Sequence, residues 1–297
     1  MGPAKATGTD LLAADPAELS KRYRNRIVHQ TVHAEVKPRN KKAFNSWEKF
    51  NHNGLHVLWT DAENDKLIQN FYPQFKKLYD KMVIPIQRID VIRLLFLHRY
   101  GGLYADIDYE CLANPFDNLP PHSPDSVFVV ESPVLLNEVM QNSLMASVAP
   151  DNKFWLRTVQ GIDEIWNMLR GDTPCTWTGC ANLGFLRNPF IAKTGHIVYT
   201  QMLTGSSVLD KILVRYRKDT DLVLLEPQRW FVGDAATGVA RHHHDNSWVK
   251  VGDSLLPLGG LVLGTIFLVI LLLWKVARRF GYISKLTDGD DYGRVRS

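Results

Sequence analysis

Asp106 and Asp108, separated only by Ile107, are the residues in this sequence best placed to do chemistry. The flank Leu103 to Tyr109 (LYADIDY) reads as a strand, and alternation along a strand sends both carboxylates to one face and Ile107 to the other. Held together they repel unless a cation lies between them. A hard divalent ion, Mn2+ or Mg2+, bridging to a diphosphate is the usual resolution. Upstream, Asp90 and Arg93 stand three apart, neighbours on a helix surface. Downstream, His242, His243 and His244 are adjacent, and alternation puts His242 and His244 on one face. A single neutral imidazole beside such an acidic pair can complete a metal shell.

These groups need elements to aim them. Arg26 to Val32 (RIVHQTV) and Leu55 to Thr60 (LHVLWT) are β-branched and aromatic runs that predict strands, with a helix over Lys41 to Phe50 between them. Ile86 to Tyr100 places Ile89, Ile92, Phe96 and Leu97 on one helical face, and Gly101-Gly102 ends it. Strands follow at Leu103 to Tyr109 and Ser126 to Glu131, then a helix over Phe154 to Leu169 and a late strand at Val223 to Leu225. Strands alternating with helices predict an α/β domain on a mainly parallel sheet. Residues 1–25 read as an N-terminal arm ending in a basic cluster, and residues 26–250 as the folded domain.

The chain has 297 residues, 45% hydrophobic and 22% charged, which excludes wholesale disorder and fibrous classes. A net charge of +4, spread along the chain, offers no nucleic-acid groove. Cys111, Cys175 and Cys180 lack zinc-site spacing; at most the last two close one small loop. There is no P-loop, no G-x-G-x-x-G and no G-x-S-x-G elbow. Residues 255–276 contain a run, Leu255 to Trp274, without a charge, the length of a transmembrane helix, followed by a tail at 277–297. Lys275, Arg278, Arg279 and Lys285 put that tail in the cytosol and the domain in a lumen. The first 25 residues hold no apolar signal-peptide run, and tail-anchored insertion would instead leave the domain cytosolic.

Ile89-Asp90-Val91-Ile92-Arg93 followed by Tyr100-Gly101-Gly102-Leu103-Tyr104-Ala105-Asp106-Ile107-Asp108 resembles the signature of the DXD sugar-binding glycosyltransferases, family 32, which includes fungal α-1,6-mannosyltransferases and mannosyl inositol-phosphorylceramide synthase catalytic subunits. Ile27 to Thr31 is similar to that family's opening strand, and His242 to Trp248 to its closing element. The resemblance implies a GT-A fold, a single Rossmann-like domain. It also implies a nucleotide-sugar donor, GDP-mannose in the mannosyl members, a divalent metal and retention of anomeric configuration. Carried over by position, Asp106, Asp108 and Arg93 are catalytic, and Asp106, Asp108 and His242 hold the metal. His29, Gln30, Thr31, Trp59, Asp90, Arg93, Gly102, Tyr104, Ala105, Asp106, Ser247 and Trp248 form the donor pocket, with Trp59 stacking on the base. Val32 stands where the family has Trp, as does His244, so the outer pocket walls depart from the pattern.

Cleaving a glycosyl phosphate develops negative charge on the diphosphate, which a metal and Arg93 would stabilise. The expected acceptor is a membrane lipid such as inositol phosphorylceramide, or a glycan, and the expected setting is an endomembrane such as the Golgi, with a regulatory membrane subunit as partner. A UDP-sugar transferase acting on glycoproteins and a catalytically inactive scaffold subunit are the rival readings. Completeness of Asp90, Arg93, Asp106 and Asp108 argues against the second.

Overall fold

The computed structural model describes residues 4–82, 84–131, 140–170, 200, 204–216, 219–233 and 236–243. The apolar span at 255–276, the tail, Cys175, Cys180, Ser247 and Trp248 lie outside them, and among the described residues no helix is long and apolar enough to cross a membrane.

Nine strands form among these residues: β1 (Ala4–Thr7), β2 (Ile27–Val32), β3 (Leu55–Thr60), β4 (Gly102–Ala105), β5 (Tyr109–Cys111), β6 (Ser126–Glu131), β7 (Met140–Ser147), β8 (Asp221–Leu225) and β9 (Ala240–His242). The helices are α1 (Gly8–Leu12), α2 (Pro16–Tyr23), α3 (Lys41–Phe50), α4 (Asp61–Phe71), α5 (Lys76–Lys81), α6 (Pro85–Tyr100), α7 (Lys153–Arg170) and α8 (Ser206–Tyr216). Seven strands join one sheet in the order β1-β3-β2-β4-β7-β6-β8. Its β1/β3, β3/β2, β2/β4 and β6/β8 pairs are parallel, and β7 runs antiparallel to both β4 and β6. The sheet is therefore mixed but mostly parallel, as expected of an α/β domain.

Alternation divides the core between the sheet's two faces. Ile27, Val57, Trp59, Tyr104, Val129 and Met145 pack with α6 and α7, whereas Val28, Leu103, Ala105, Phe128 and Leu144 pack with Trp47, Tyr109 and Trp230. α6 begins with Pro85 and is buried around most of its circumference, not along one stripe as its sequence suggests, because it lies beneath the centre of the sheet. Its exit is abrupt. Gly101 and Gly102 both adopt positive φ, at 65° and 81°, and a Cβ on Gly102 would lie 2.2 Å from the Ile27 carbonyl oxygen. That close approach lets β4 start at once beside β2.

Two expectations need correction, and one strand escapes the sequence reading. The strand read over Leu103 to Tyr109 breaks: β4 ends at Ala105, residues 106–108 turn, and β5 leaves to pair with β9 in a separate two-stranded sheet. The residues read as an N-terminal arm contribute to the sheet and core. Ala4–Thr7 adds an edge strand to β3, Leu11 is core, and the Tyr100 hydroxyl donates to the Leu11 carbonyl at 3.0 Å. Finally β7, whose sequence MQNSLMAS alternates poorly, goes unread, although it lies beside β4 at the sheet's centre.

Candidate active site

Parallel strands β3, β2 and β4 end on one edge of the sheet, the edge where open α/β sheets bind ligands. The turn carrying the two aspartates projects from it. The Asp106 amide donates to the Ser143 carbonyl of β7 at 2.9 Å, and the Tyr109 amide closes the turn onto the Asp106 carbonyl at 3.0 Å. That same carbonyl accepts from Gln30 Nε2 at 3.1 Å, and Gln30 Oε1 accepts from His56 Nε2 at 2.9 Å. Since an amide oxygen can only accept, His56 carries its proton on Nε2 and is neutral; burial pushes its pKa down to about 3.

β9 supplies the third ligand candidate. Tyr109 and His242 are partners across the β5/β9 ladder, the imidazole stacks on the Tyr109 ring at 4.5 Å, and the Phe231 ring meets it edge-on at 5.0 Å. So held, His242 Nε2 comes 3.2 Å from Asp108 Oδ1. Ligand atoms of Asp106, Asp108 and His242 all lie within 4.8 Å of one another. The carboxylates thus converge as expected, through a turn and a second sheet and not through strand alternation. Two carboxylates and an imidazole form a donor set that a divalent transition ion fits; the nitrogen suits Mn2+ better than Mg2+, which favours oxygen alone.

Beneath the turn lies a buried ionic network. Arg93 is 1% exposed and Asp90 3%. The guanidinium sits 3.2 Å from Asp90 Oδ1 and 3.4 Å from Asp106 Oδ1, donates to the Asn142 carbonyl at 2.8 Å, and lies 4.8 Å over the Tyr104 ring. Tyr104 donates its hydroxyl to Asp106 Oδ1 at 2.7 Å. Burial raises the Asp106 pKa, Arg93 opposes the rise and Asp108 adds to it. Asp90 is pushed up to about 6, chiefly by burial, against the pull of Arg93 and the Thr204 hydroxyl. One Asp106 oxygen is therefore held inward, leaving the other for a cation.

The structure brings Asp90, Arg93, Tyr104, Asp106, Asp108 and His242 into one site, with Gln30 bracing the turn from below. It separates others from it. Trp59 is 0% exposed and stacked on Phe96 at 4.4 Å, so it packs the core and has no face for a base. His29, also 0% exposed, donates Nε2–H to the Gly101 carbonyl at 3.1 Å and accepts from Trp59 Nε1 at 3.2 Å, because alternation turns it toward α6. Thr31 gives its hydroxyl to the Trp59 carbonyl, and the Ala105 methyl is core. Arg93 has no open face, and Asp106 is the turn carboxylate it reaches. Sequence reasoning missed Asn142, Ser143 and Thr204, which belong to no motif. It also missed the pair of His243 Nε2 with Glu110 Oε2 at 3.0 Å, for which the spacing of Glu110 after Asp108 was an available signal.

The fold and site together are an α/β sheet with an acidic turn, able to hold a cation, at the carboxyl edge of its parallel strands. Within this chain, residues 37–125 match the family described as glycosyltransferase sugar-binding region containing DXD motif, and the chain carries that region. Inositol phosphoceramide mannosyltransferase 3 of Schizosaccharomyces pombe is 34% identical over 110 residues, which cover 35% of this chain and 31% of that protein. Mannosyl phosphorylinositol ceramide synthase SUR1 of Saccharomyces cerevisiae is 29% identical over 145 residues, 48% of this chain and 36% of its own. The chain spans about a third of the length of these curated relatives. Among solved structures, the ligand-free glycosyltransferase domain from the YGT toxin aligns over 67% of this chain and 80% of its own, with a TM-score of 0.46 and 10% identity.

Proposed function

We propose that the chain is a metal-dependent, retaining glycosyltransferase that moves mannose from GDP-mannose to a membrane-associated acceptor such as inositol phosphorylceramide. The observation that carries this reading is the convergence of Asp106, Asp108 and His242 within 4.8 Å, with both aspartates inside the segment matched to the DXD sugar-binding region. The names of the two mannosyltransferase relatives support mannose as the sugar and an inositol phosphoceramide as the acceptor.

In this reading Asp106, Asp108 and His242 would hold Mn2+, which when bound would supply electrostatic stabilisation for a nucleoside diphosphate leaving group. Asp106 presents its outward oxygen because Tyr104 and Arg93 hold the inward one. Buried Arg93 adds positive potential under the turn, where a low local dielectric makes it effective. The backbone at Gly102 and Ala105 shapes the strand end, and the resemblance assigns Ser247 and Trp248, outside the described residues, to the donor pocket. The apolar span at 255–276 would keep the pocket at a membrane surface, in an endomembrane such as the Golgi with the domain lumenal and a regulatory membrane subunit alongside.

The test is an assay of the full chain with Mn2+ against GDP-mannose, UDP-glucose and UDP-galactose, using inositol phosphorylceramide vesicles as acceptor. Transfer from GDP-mannose that Asp108→Ala lowers at least about 100-fold is expected. Transfer from a UDP-sugar alone would refute the donor assignment, and equal activity in Asp108→Ala would refute the site.

A further inference from the structure

Asp90 is held from three directions. Its Oδ1 accepts from Asn142 Nδ2 at 2.9 Å and faces Arg93 at 3.2 Å, while its Oδ2 accepts from the Thr204 hydroxyl at 2.7 Å. Thr204 lies 114 residues from Asp90 in sequence and is buried. Its amide and that of Gly205 both turn back onto the Thr200 carbonyl, at 2.9 and 3.0 Å, and Gln87 of α6 donates to the Thr200 hydroxyl at 3.5 Å. The turn is thereby docked on the α6 face that carries Asp90. Without the threonine hydroxyl, Asp90 Oδ2 would be a buried acceptor with no donor, and the carboxylate would be fixed at Oδ1 alone. Arg93 would then lose a fixed counter-charge on one side and draw more strongly on Asp106 on the other. A carboxylate engaged that way is a poorer metal ligand.

We propose that Thr204 is a positioning residue for the cation site: acting through Asp90 and Arg93, its hydroxyl sets how Asp106 is presented to a divalent ion. Asn142 is its counterpart from β7, holding Asp90 with its side chain and Arg93 with its carbonyl. This rests on the proposed Mn2+ site.

The experiment titrates Mn2+ into the full chain in detergent and measures affinity by electron paramagnetic resonance of the free ion, alongside the thermal midpoint. Thr204→Val is expected to weaken Mn2+ about 10-fold, and Thr204→Ser to restore it to within about twofold. Thr158→Val removes another buried threonine hydroxyl, bonded at 2.8 Å to the Phe154 carbonyl in α7, and reports the effect of a merely structural loss. It is expected to lower the midpoint with Mn2+ affinity unchanged. Asn142→Ser, which removes the other side-chain donor, is expected to weaken Mn2+ in the same direction and serves should Thr204→Val not fold. A Thr204→Val protein that binds Mn2+ as tightly as Thr158→Val overturns the proposal, as does failure of Thr204→Ser to restore binding. Failure of the unmodified chain to bind Mn2+ overturns this proposal together with the cation site on which it rests, whereas the former results leave that site standing.

Discussion

Replacing Arg93 by methionine isolates the energetic problem at the centre of the site. Methionine keeps the apolar stem, so the change removes the guanidinium with its charge and donors while retaining the packing of the rest of the side chain. Asp90, 3% exposed, would then be a buried carboxylate supported only by Asn142 and Thr204. Removing one member of a buried ion pair costs about 3–5 kcal/mol, and Arg93 also serves Asp106, so the upper half of that range is expected at pH 8. The sign of the pH dependence follows from Asp90. Its folded pKa, about 6, already stands above the unfolded value of 3.8, so the native state binds the extra proton and stability falls as pH rises between them. Losing Arg93 lifts the folded value further and extends the falling window to higher pH. Urea unfolding of both proteins at pH 5.5 and pH 8 therefore should give a larger deficit at pH 8. Asp90→Asn combined with Arg93→Met should recover all but about 1–2 kcal/mol, because a neutral pair no longer strands a charge. A deficit below about 1 kcal/mol, or one independent of pH, would mean that Asp90 is not the buried, charge-compensated group described.

Gly102→Ala should destabilise by at least about 2 kcal/mol in urea, since φ is +81° and the new methyl would meet the Ile27 backbone at 2.2 Å. Tyr104→Phe keeps the ring over Arg93 and removes the 2.7 Å bond to Asp106, so Mn2+ affinity should fall about 10-fold while stability changes by about 1 kcal/mol. Acidification offers a third check. His29 and His56, with pKa values pushed by burial to about 4 and about 3, are neutral in the fold but take up protons near 6.5 when unfolded. Stability should hold above pH 6.5 and fall as pH drops toward 4, by about 3 kcal/mol per histidine. His29→Gln that leaves the acid limb of a pH-melting curve unchanged would contradict this.

The acidic pair was legible because its chemistry is local: two carboxylates and a Gly-Gly helix stop occupy one short stretch, and neighbouring residues must share a site whatever the fold. The extents of α3 and β6 were legible for the same reason, since periodicity and flanking turns are contained within each segment. Gly101-Gly102 was read as a helix stop, and the structure adds what sequence does not carry: the Ile27 carbonyl packed where a side chain would be. Trp59 and His29 were misassigned because residue type alone does not say which face of a strand looks at the pocket. Alternation from Ile27 would have turned His29 inward with it, and the register of β2 against β3 places Trp59 on that same inner face.

The buried network was illegible for a deeper reason. Asn142 and Thr204 are 52 and 114 residues from Asp90, and neither β7 nor the turn at Thr204 carries a pattern that announces its neighbours. What sequence did offer was an anomaly: an aspartate and an arginine set among Ile89, Val91, Ile92, Leu94 and Leu95, the most apolar stretch of the helix. Charges placed in such a helix must find partners inside the protein, since burying them unpaired costs more than a domain's whole margin of stability. Two buried charges on α6 therefore require polar partners from elements packed against it, donors for the aspartate and acceptors for the arginine, even before those elements are known. β7 and the Thr204 turn meet that requirement. The same reasoning makes the site's rigidity a consequence of folding. Asp106 cannot swing away without leaving Arg93 short of negative charge, so the network that keeps the core intact also holds the acidic turn in the shape a cation requires.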